Sequence, residues 1–390
     1  MTLLICMLLV FLLEIYMQNI VSSQRQLNEL PDALPVFCKI VNLNGSQESG
    51  LEIPETLVNA LQESARIKDV RLTNVLLAGE GDFAEEDWKG NLNITVVATN
   101  SINAVSGLSE ELIALEDGIA SDFLQTDSHV CIVGEDLLQR RNWSVGDTIS
   151  LNLYYYMHVD NYQVNIKPLE LVDYKIEGTM GRFNGIAGQF GMVPEILVPF
   201  ETVRESYHRK GVPFSADSAA FYVENPLELN EFKEEMHAYG LLSKAPNAKY
   251  SYQGNALVMR DSSFIAAASK LRQGIDILVG FLPAVLATVI LIGYIISTLL
   301  TDSRQTEYAL MRIQGMGAGM CFLVFFMEQL ALALSGGILS SIFYQFIFAG
   351  DRRAVAAVNL FFLISYLLGS VFALLRLGKR STMEVLFRED

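Results

Sequence analysis

The chain has 390 residues, 51% of them hydrophobic, with a mean hydropathy of +0.31, which is high for a soluble protein. The apolar excess is concentrated in residues 1–17, 277–300, 320–348 and 354–375, so the molecule is not a purely soluble globule. Net charge is −16, and between Gln18 and Gly274 about 20 Lys and Arg stand against about 35 Asp and Glu, which argues against nucleic-acid binding because phosphate contacts need a basic face.

From the N-terminus, Thr2 to Leu13 is wholly apolar but only about 12 residues long, short of the roughly 20 that cross a bilayer core. Continuing to Val21 reaches spanning length with Glu14 inside. A secretory signal would need a basic leading region and a small-residue cleavage site, and neither is evident, so residues 1–21 are read as an uncleaved first spanning helix.

Residues 22–270 form an ordinary soluble stretch, long enough for its own core, with a mixed α and β pattern. Helical spacing appears at 54–65, 109–114, 135–141 and 226–239, and strand patterns at 70–77, 92–99, 130–134, 148–156, 169–178, 195–199 and 219–223. The glycine-rich segment 178–191, with Arg182, Phe183 and Phe190, reads equally as a contact loop or an ordinary connection. Residues 264–273 read as a helix feeding into the second apolar run.

Residues 277–300 carry no charge, and 320–348 carry one acid, Glu328. The expected spans are therefore 271–300, 320–348 and 354–376, giving an α+β membrane protein with four transmembrane helices and a mixed α/β domain inserted between helices 1 and 2. The tail 377–390, with Lys379, Arg380 and Arg388 following Arg376, is expected in the cytoplasm. Loop 301–319 then lies on the same side and the 22–270 domain outside, although Arg352 and Arg353 in the short external turn run against the charge rule. Within the loop, Ser303, Arg304, Glu307, Leu310, Met311 and Ile313 have the spacing of a short amphipathic helix, which Gly315, Gly317 and Gly319 can end. Glu328, an acid inside a span, is a functional candidate, paired with a nearby base such as Arg312. Glu14 and Asp276 are expected near the outer face.

Catalytic and metal signatures are missing. Cys6, Cys38, Cys131 and Cys321 form no C-x-x-C pair, only Cys38 and Cys131 could meet outside the membrane, and the four histidines are isolated, so no zinc spacing and no cofactor is expected. Neither G-x-S-x-G nor H-E-x-x-H occurs. Acid pairs such as Glu85-Glu86 and Glu110-Glu111 read as exposed faces or helix starts. Leu334-Ser-Gly-Gly337 spells the ABC ATPase signature, but it lies in an apolar run, where small residues favour helix packing, and the chain has no phosphate-binding loop.

Three features together resemble the MacB/FtsX-like permeases of ABC transporters: the 303–317 loop followed by Glu328 and Gly336-Gly337, the segment from Val130 to Leu138 followed by Val145-Gly-Asp-Thr-Ile149, and the order of one helix, a large domain and three helices. The resemblance implies a dimeric permease in the cell membrane that does not itself hydrolyse ATP. A separate ABC ATPase would dock on the cytoplasmic loop, and its closure would move the extracytoplasmic domain, for export of a lipid, lipoprotein or peptide or for activation of an envelope partner. Carried over by residue, Arg304, Glu307, Arg312 and Gly315 would belong to the coupling loop, with Glu328 near the cytoplasmic end of the next helix. The chain departs from the family pattern at its start, where Met1 opens directly in apolar sequence instead of a basic amphipathic stretch. The reading from another class is a membrane-anchored sensor or scaffold that works without an ATPase.

Overall fold

The computed structural model describes residues 2–83, 87–116, 123–158, 164–183, 185, 191–245, 254–348 and 352–378. The expectations for Glu85, Glu86, Phe190, Lys379, Arg380 and Arg388 fall outside them. The chain divides into two compact units, residues 31–265 and a helical unit of residues 1–30 and 266–390.

In chain order the elements are α1 (Thr2–Ala33), β1 (Phe37–Asn42), β2 (Ile53–Pro54), α2 (Glu55–Glu63), β3 (Ile67–Glu80), α3 (Trp88–Asn91), β4 (Ile94–Thr99), β5 (Ile113–Leu115), β6 (Val130–Gly134), α4 (Glu135–Arg141), β7 (Thr148–His158), β8 (Val164–Met180), β9 (Ile196–Pro199), α5 (Phe200–Lys210), β10 (Ser215–Ala216), β11 (Ser218–Val223), α6 (Leu229–Ala238), β12 (Asn255–Arg260), α7 (Ser262–Asp302), α8 (Gln305–Ile313), α9 (Ala318–Phe348) and α10 (Arg352–Gly378).

The 31–265 unit is built on one mixed sheet in the order β12-β1-β11-β3-β4-β9-β6-β8-β5, with β7 pairing β3 and β8, and a separate β10-β2 pair. The apolar strands β4 and β9 are buried at every position, as expected of central strands covered on both faces. They pair in parallel, as do β6 and β8. By contrast β8 alternates buried and exposed positions along much of its length, the pattern of a strand with one wet face. One apolar cluster gathers Val75, Val97, Ile132, Met180 and Leu197 from across this sheet with Phe123 from a 3-10 turn at 123–125.

Two expectations shift. The helix foreseen at 109–114 is a single 3-10 turn at 110–112 that runs into β5. The start of the glycine-rich segment is sheet, because β8 continues to Met180. Gly178 is needed there: a Cβ would lie 2.8 Å from the Ala114 carbonyl oxygen on the neighbouring β5. Strands β1 and β12 had no clear sequence signal, since each is six residues long and its apolar positions are broken by Lys39 or Asn255 and Arg260.

In the helical unit, α1, α7, α9 and α10 are long and apolar enough to cross a membrane. Small residues set their approach. A Cβ on Gly293 of α7 would meet the Tyr366 carbonyl oxygen of α10 at 2.8 Å, and one on Gly336 of α9 would meet Cys6 Cβ of α1 at 2.8 Å. A Cβ on Gly337 would meet Asn359 Oδ1 at 2.5 Å, so both glycines of the Leu334-Ser-Gly-Gly337 run pack helices. Cys6, Val10, Leu13, Val289, Ala333, Phe362 and Tyr366 form the apolar core among the four helices.

Candidate functional site

The loop between α7 and α9 is a helical hairpin. At the end of α7, the Ser303 hydroxyl donates to the Leu300 carbonyl at 2.8 Å, and Gln305 Nε2 reaches Asp302 Oδ1 at 2.7 Å as α8 begins. Glu307 lies in the first turn of α8 and Arg312 in the last, the arrangement that suits the helix dipole. Gly315 ends the helix with φ of 88°, where its N–H bonds the Arg312 carbonyl at 3.2 Å and the Met316 N–H bonds the Met311 carbonyl at 3.1 Å. Gly317 and Gly319 have no neighbouring atoms that a Cβ would strike, so of the three glycines only Gly315 is demanded by its backbone.

Chain reversal at Gly315 lays α8 back along the start of α9 and fixes which residues meet. Arg304 Nη1 grips both oxygens of Glu328, at 2.7 and 2.9 Å. One step further along, Tyr308 packs on Phe325 with ring centroids 6.1 Å apart. Arg312 is left beside the turn, donating to the Met316 carbonyl at 3.2 Å. The expected Arg312–Glu328 pair is therefore corrected to Arg304–Glu328, because in an antiparallel hairpin the beginning of α8, not its end, lies opposite the deeper part of α9.

The two faces of α8 differ. Tyr308 is buried with Cys321, Phe325 and Leu374, and Met311, Met316 and Phe322 pack around them. Glu307 is exposed on the other side, with Leu310 54% and Ile313 63% exposed. Residues three apart share a helix face, so Glu307, Leu310 and Ile313 form one uncovered ridge. Arg304, Glu307, Arg312 and Gly315 are thus gathered on one hairpin, with distinct tasks: Arg304 anchors it to α9, Arg312 and Gly315 shape its turn, and Glu307 is presented outward.

A feature that the sequence reading missed lies in the same unit. Glu14, expected near the outer face, is 2% exposed and accepts hydrogen bonds from the Ser340 hydroxyl at 3.0 Å and the Ser341 hydroxyl at 2.8 Å. Asn359 Nδ2 in turn donates to Ser341 Oγ at 2.7 Å. The available signal was the recurrence of polar residues inside apolar runs: Glu14, Ser340-Ser341 and Asn359 each lie more than one helical turn inside an end of their run.

In the 31–265 unit, Arg182 clasps the Asp136 carboxylate with Nε at 2.9 and 3.0 Å and Nη2 at 2.7 Å, and Arg140 pairs with Glu195 beside it. These pairs border a cavity of about 510 Å³ that Met180, Phe183 and Met192 help to line. The hydrogen bond from Arg182 holds the Asp136 carboxyl below the usual range. Cys38 and Cys131 are free and buried, and burial pushes the Cys38 thiol up to about 12 and Cys131 upward as well, so neither is a poised nucleophile. No cluster of three or more His, Cys, Asp or Glu side chains that could hold a metal occurs among the described residues.

Residues 2–239 match the family model described as the MacB-like periplasmic core domain. Among solved structures, the periplasmic region of MacB from Actinobacillus actinomycetemcomitans aligns at 12% identity over 60% of this chain and 92% of its own, with a TM-score of 0.31. The extracellular domain of the noncanonic ABC-type transporter YknZ from Gram-positive bacteria aligns at 12% identity over 57% of this chain and 99% of its own, with a TM-score of 0.31. A domain of a putative permease protein from Porphyromonas gingivalis aligns at 13% identity over 58% of this chain and 86% of its own, with a TM-score of 0.28. No curated protein sequence matches the chain.

Proposed function

The chain belongs to the family of the MacB-like periplasmic core domain, and from that membership we propose that it is the permease subunit of an ABC transporter, converting ATP hydrolysis by a separate ATPase into movement of its 31–265 unit. In this reading the four apolar helices span the cell membrane, the 31–265 unit is extracytoplasmic, and α8 and the chain's C-terminus face the cytoplasm. The observation that carries the proposal is the α8 hairpin: a short helix anchored by an ion pair and an aromatic cluster, with Leu310 and Ile313 left uncovered beside Glu307. Uncovered apolar residues next to a charge at a hairpin held from behind suit a rigid partner that pushes.

The push would travel along α7, a continuous helix of 41 residues. The chain itself performs no hydrolysis in this account. Four spans are too few to enclose a central aqueous path, so the working unit is a dimer, either of two copies or of this chain with a diverged partner. The 18-residue apolar window of α7 is only 6% buried, against 44% for α10, which leaves α7 the helix with most surface to offer lipid or a second copy. The cargo or envelope partner would be handled outside, as a lipid, lipoprotein or peptide or as an envelope enzyme to be activated.

The test is affinity purification of the detergent-solubilised protein with ATPase activity assayed in the eluate. The wild type is expected to bring down an ATPase, and Leu310→Glu with Ile313→Glu to lose it while the melting temperature is kept. A folded wild type that carries no ATPase would move the assignment to the sensor or scaffold.

A further inference from the structure

The Glu14 cluster has no task in the coupling account. Among the described residues, its carboxylate accepts from the hydroxyls of Ser340 and Ser341 and is also bonded by the Asn359 amide, all of them neutral groups. Three neutral donors leave the carboxylate without a counter-charge among the described residues. An acid in an apolar bundle is costly to keep and marks a functional position by default. One turn along α9 from Ser340, Tyr344 is 1% exposed and its hydroxyl has no hydrogen-bond partner among the described residues. Its ring lies 6.3 Å from that of Phe11, one turn before Glu14 on α1. A buried hydroxyl without a partner near a buried acid without a counter-charge is an incomplete polar site.

A cavity of about 500 Å³ adjoins this site between α9 and α10. Its lining is apolar, with Leu334, Ile338, Leu360 and Leu363, except where Ser341, Gln345 and Asn359 enter it. Ser341 and Asn359 are thus the polar wall between the cavity and the Glu14 carboxylate. Such a shape selects a ligand with an apolar body and a positively charged head rich in N–H donors. A bare multivalent metal fits poorly, because Glu14 is the single acid in the cluster. We propose that this cavity binds an organic ammonium on an apolar body, drawn from the bilayer, with Glu14 as its counter-charge and Ser341 and Asn359 as the groups that receive the head.

The inference rests on the four apolar helices lying in a membrane and not on α8 or an ATPase, so losing the ATPase partner would leave it standing. The ammonium could come from a phosphatidylethanolamine headgroup or from a free amphiphilic amine. The test is binding of radiolabelled dodecylamine to the full chain in phosphatidylcholine nanodiscs. Saturable binding is expected in the wild type, at least tenfold weaker binding in Glu14→Gln, and a comparable loss in Ala356→Phe, which fills the cavity without touching the acid. Dodecanol should not compete. Competition when phosphatidylethanolamine is added would identify a lipid ammonium as the occupant, and its absence a free amine. The proposal is overturned by absence of saturable binding in the wild type, by unchanged binding in a folded Glu14→Gln protein, or by equal competition from dodecanol. It is also overturned if infrared spectra show a Glu14 carboxylic-acid band that dodecylamine does not alter, since the occupant is then a proton alone.

Discussion

Arg304 and Glu328 are partners because Gly315 turns the chain back on itself, which makes the pair a test of the hairpin register. Both side chains are partly exposed, at 40% and 33%, so in water the pair is worth about 1 kcal/mol or less. Its expected effect is positional. Arg304→Glu should weaken ATPase co-purification with little change in melting temperature, and the exchange Arg304→Glu with Glu328→Arg should restore it. Failure of the exchange to restore binding would mean that Arg304 touches the partner directly. Gly315→Ala places a side chain at a left-handed φ and should cost about 1–2 kcal/mol, read as a lower melting temperature, whereas Gly317→Ala should be nearly silent. At this scale the sequence announced residue types but not partners. Arg304 and Glu307 stood out by spacing, Gly315 as a helix end and Arg312 through the family resemblance, yet which arginine meets Glu328 depends on a reversal that spacing does not specify. Glu14's surroundings were hidden for a related reason: position can be counted along one helix, while its environment is made by two others.

Among the elements, α2, α5 and α6 are tied down by carboxylates whose titration sets an acid limit. Burial alone would raise the Glu55 carboxyl, but hydrogen bonds from His208 and Arg204 outweigh it and hold it below its ordinary value. The same balance lowers Glu235, where burial is opposed by Ser64, Tyr239 and Arg66, and Glu170, where it is opposed by Arg209 and Ser206. Because the folded values lie below the unfolded ones, these bonds contribute fully above about pH 4.5 and are lost as pH falls through the depressed range. The melting temperature of the 31–265 unit should therefore drop as pH falls below about 4.5, and Glu235→Gln should make that drop shallower; a flat profile would contradict the assignment. Strands β4, β6 and β9 and helix α4 were legible because their apolar runs and turn residues are undisturbed. Strand β5 was hidden, since three residues carry no period, and the Gly178 position that accommodates it looked like the start of a loop.

At the scale of the whole molecule, hydropathy and length alone marked out four apolar helices and a large polar segment; the structure has four helices of that kind, and the family match over residues 2–239 covers the first of them and most of the polar segment. What composition could not supply is purpose, since an acidic domain and a charged loop are consistent with many tasks. The central claim is that α8 is where a separate ATPase acts, and photocrosslinking tests it most directly. A photoreactive amino acid placed singly at Leu310, Ile313 and, as a control on the apolar helix before the loop, Leu299 would be irradiated in cells, and the products identified by mass spectrometry. The account predicts crosslinks from Leu310 and Ile313, not from Leu299, to a polypeptide with an ATP-binding phosphate loop, at a yield that changes when nucleotide is depleted. Efficient labelling at Leu310 and Ile313 of lipid alone, or of proteins without a nucleotide site, would contradict it.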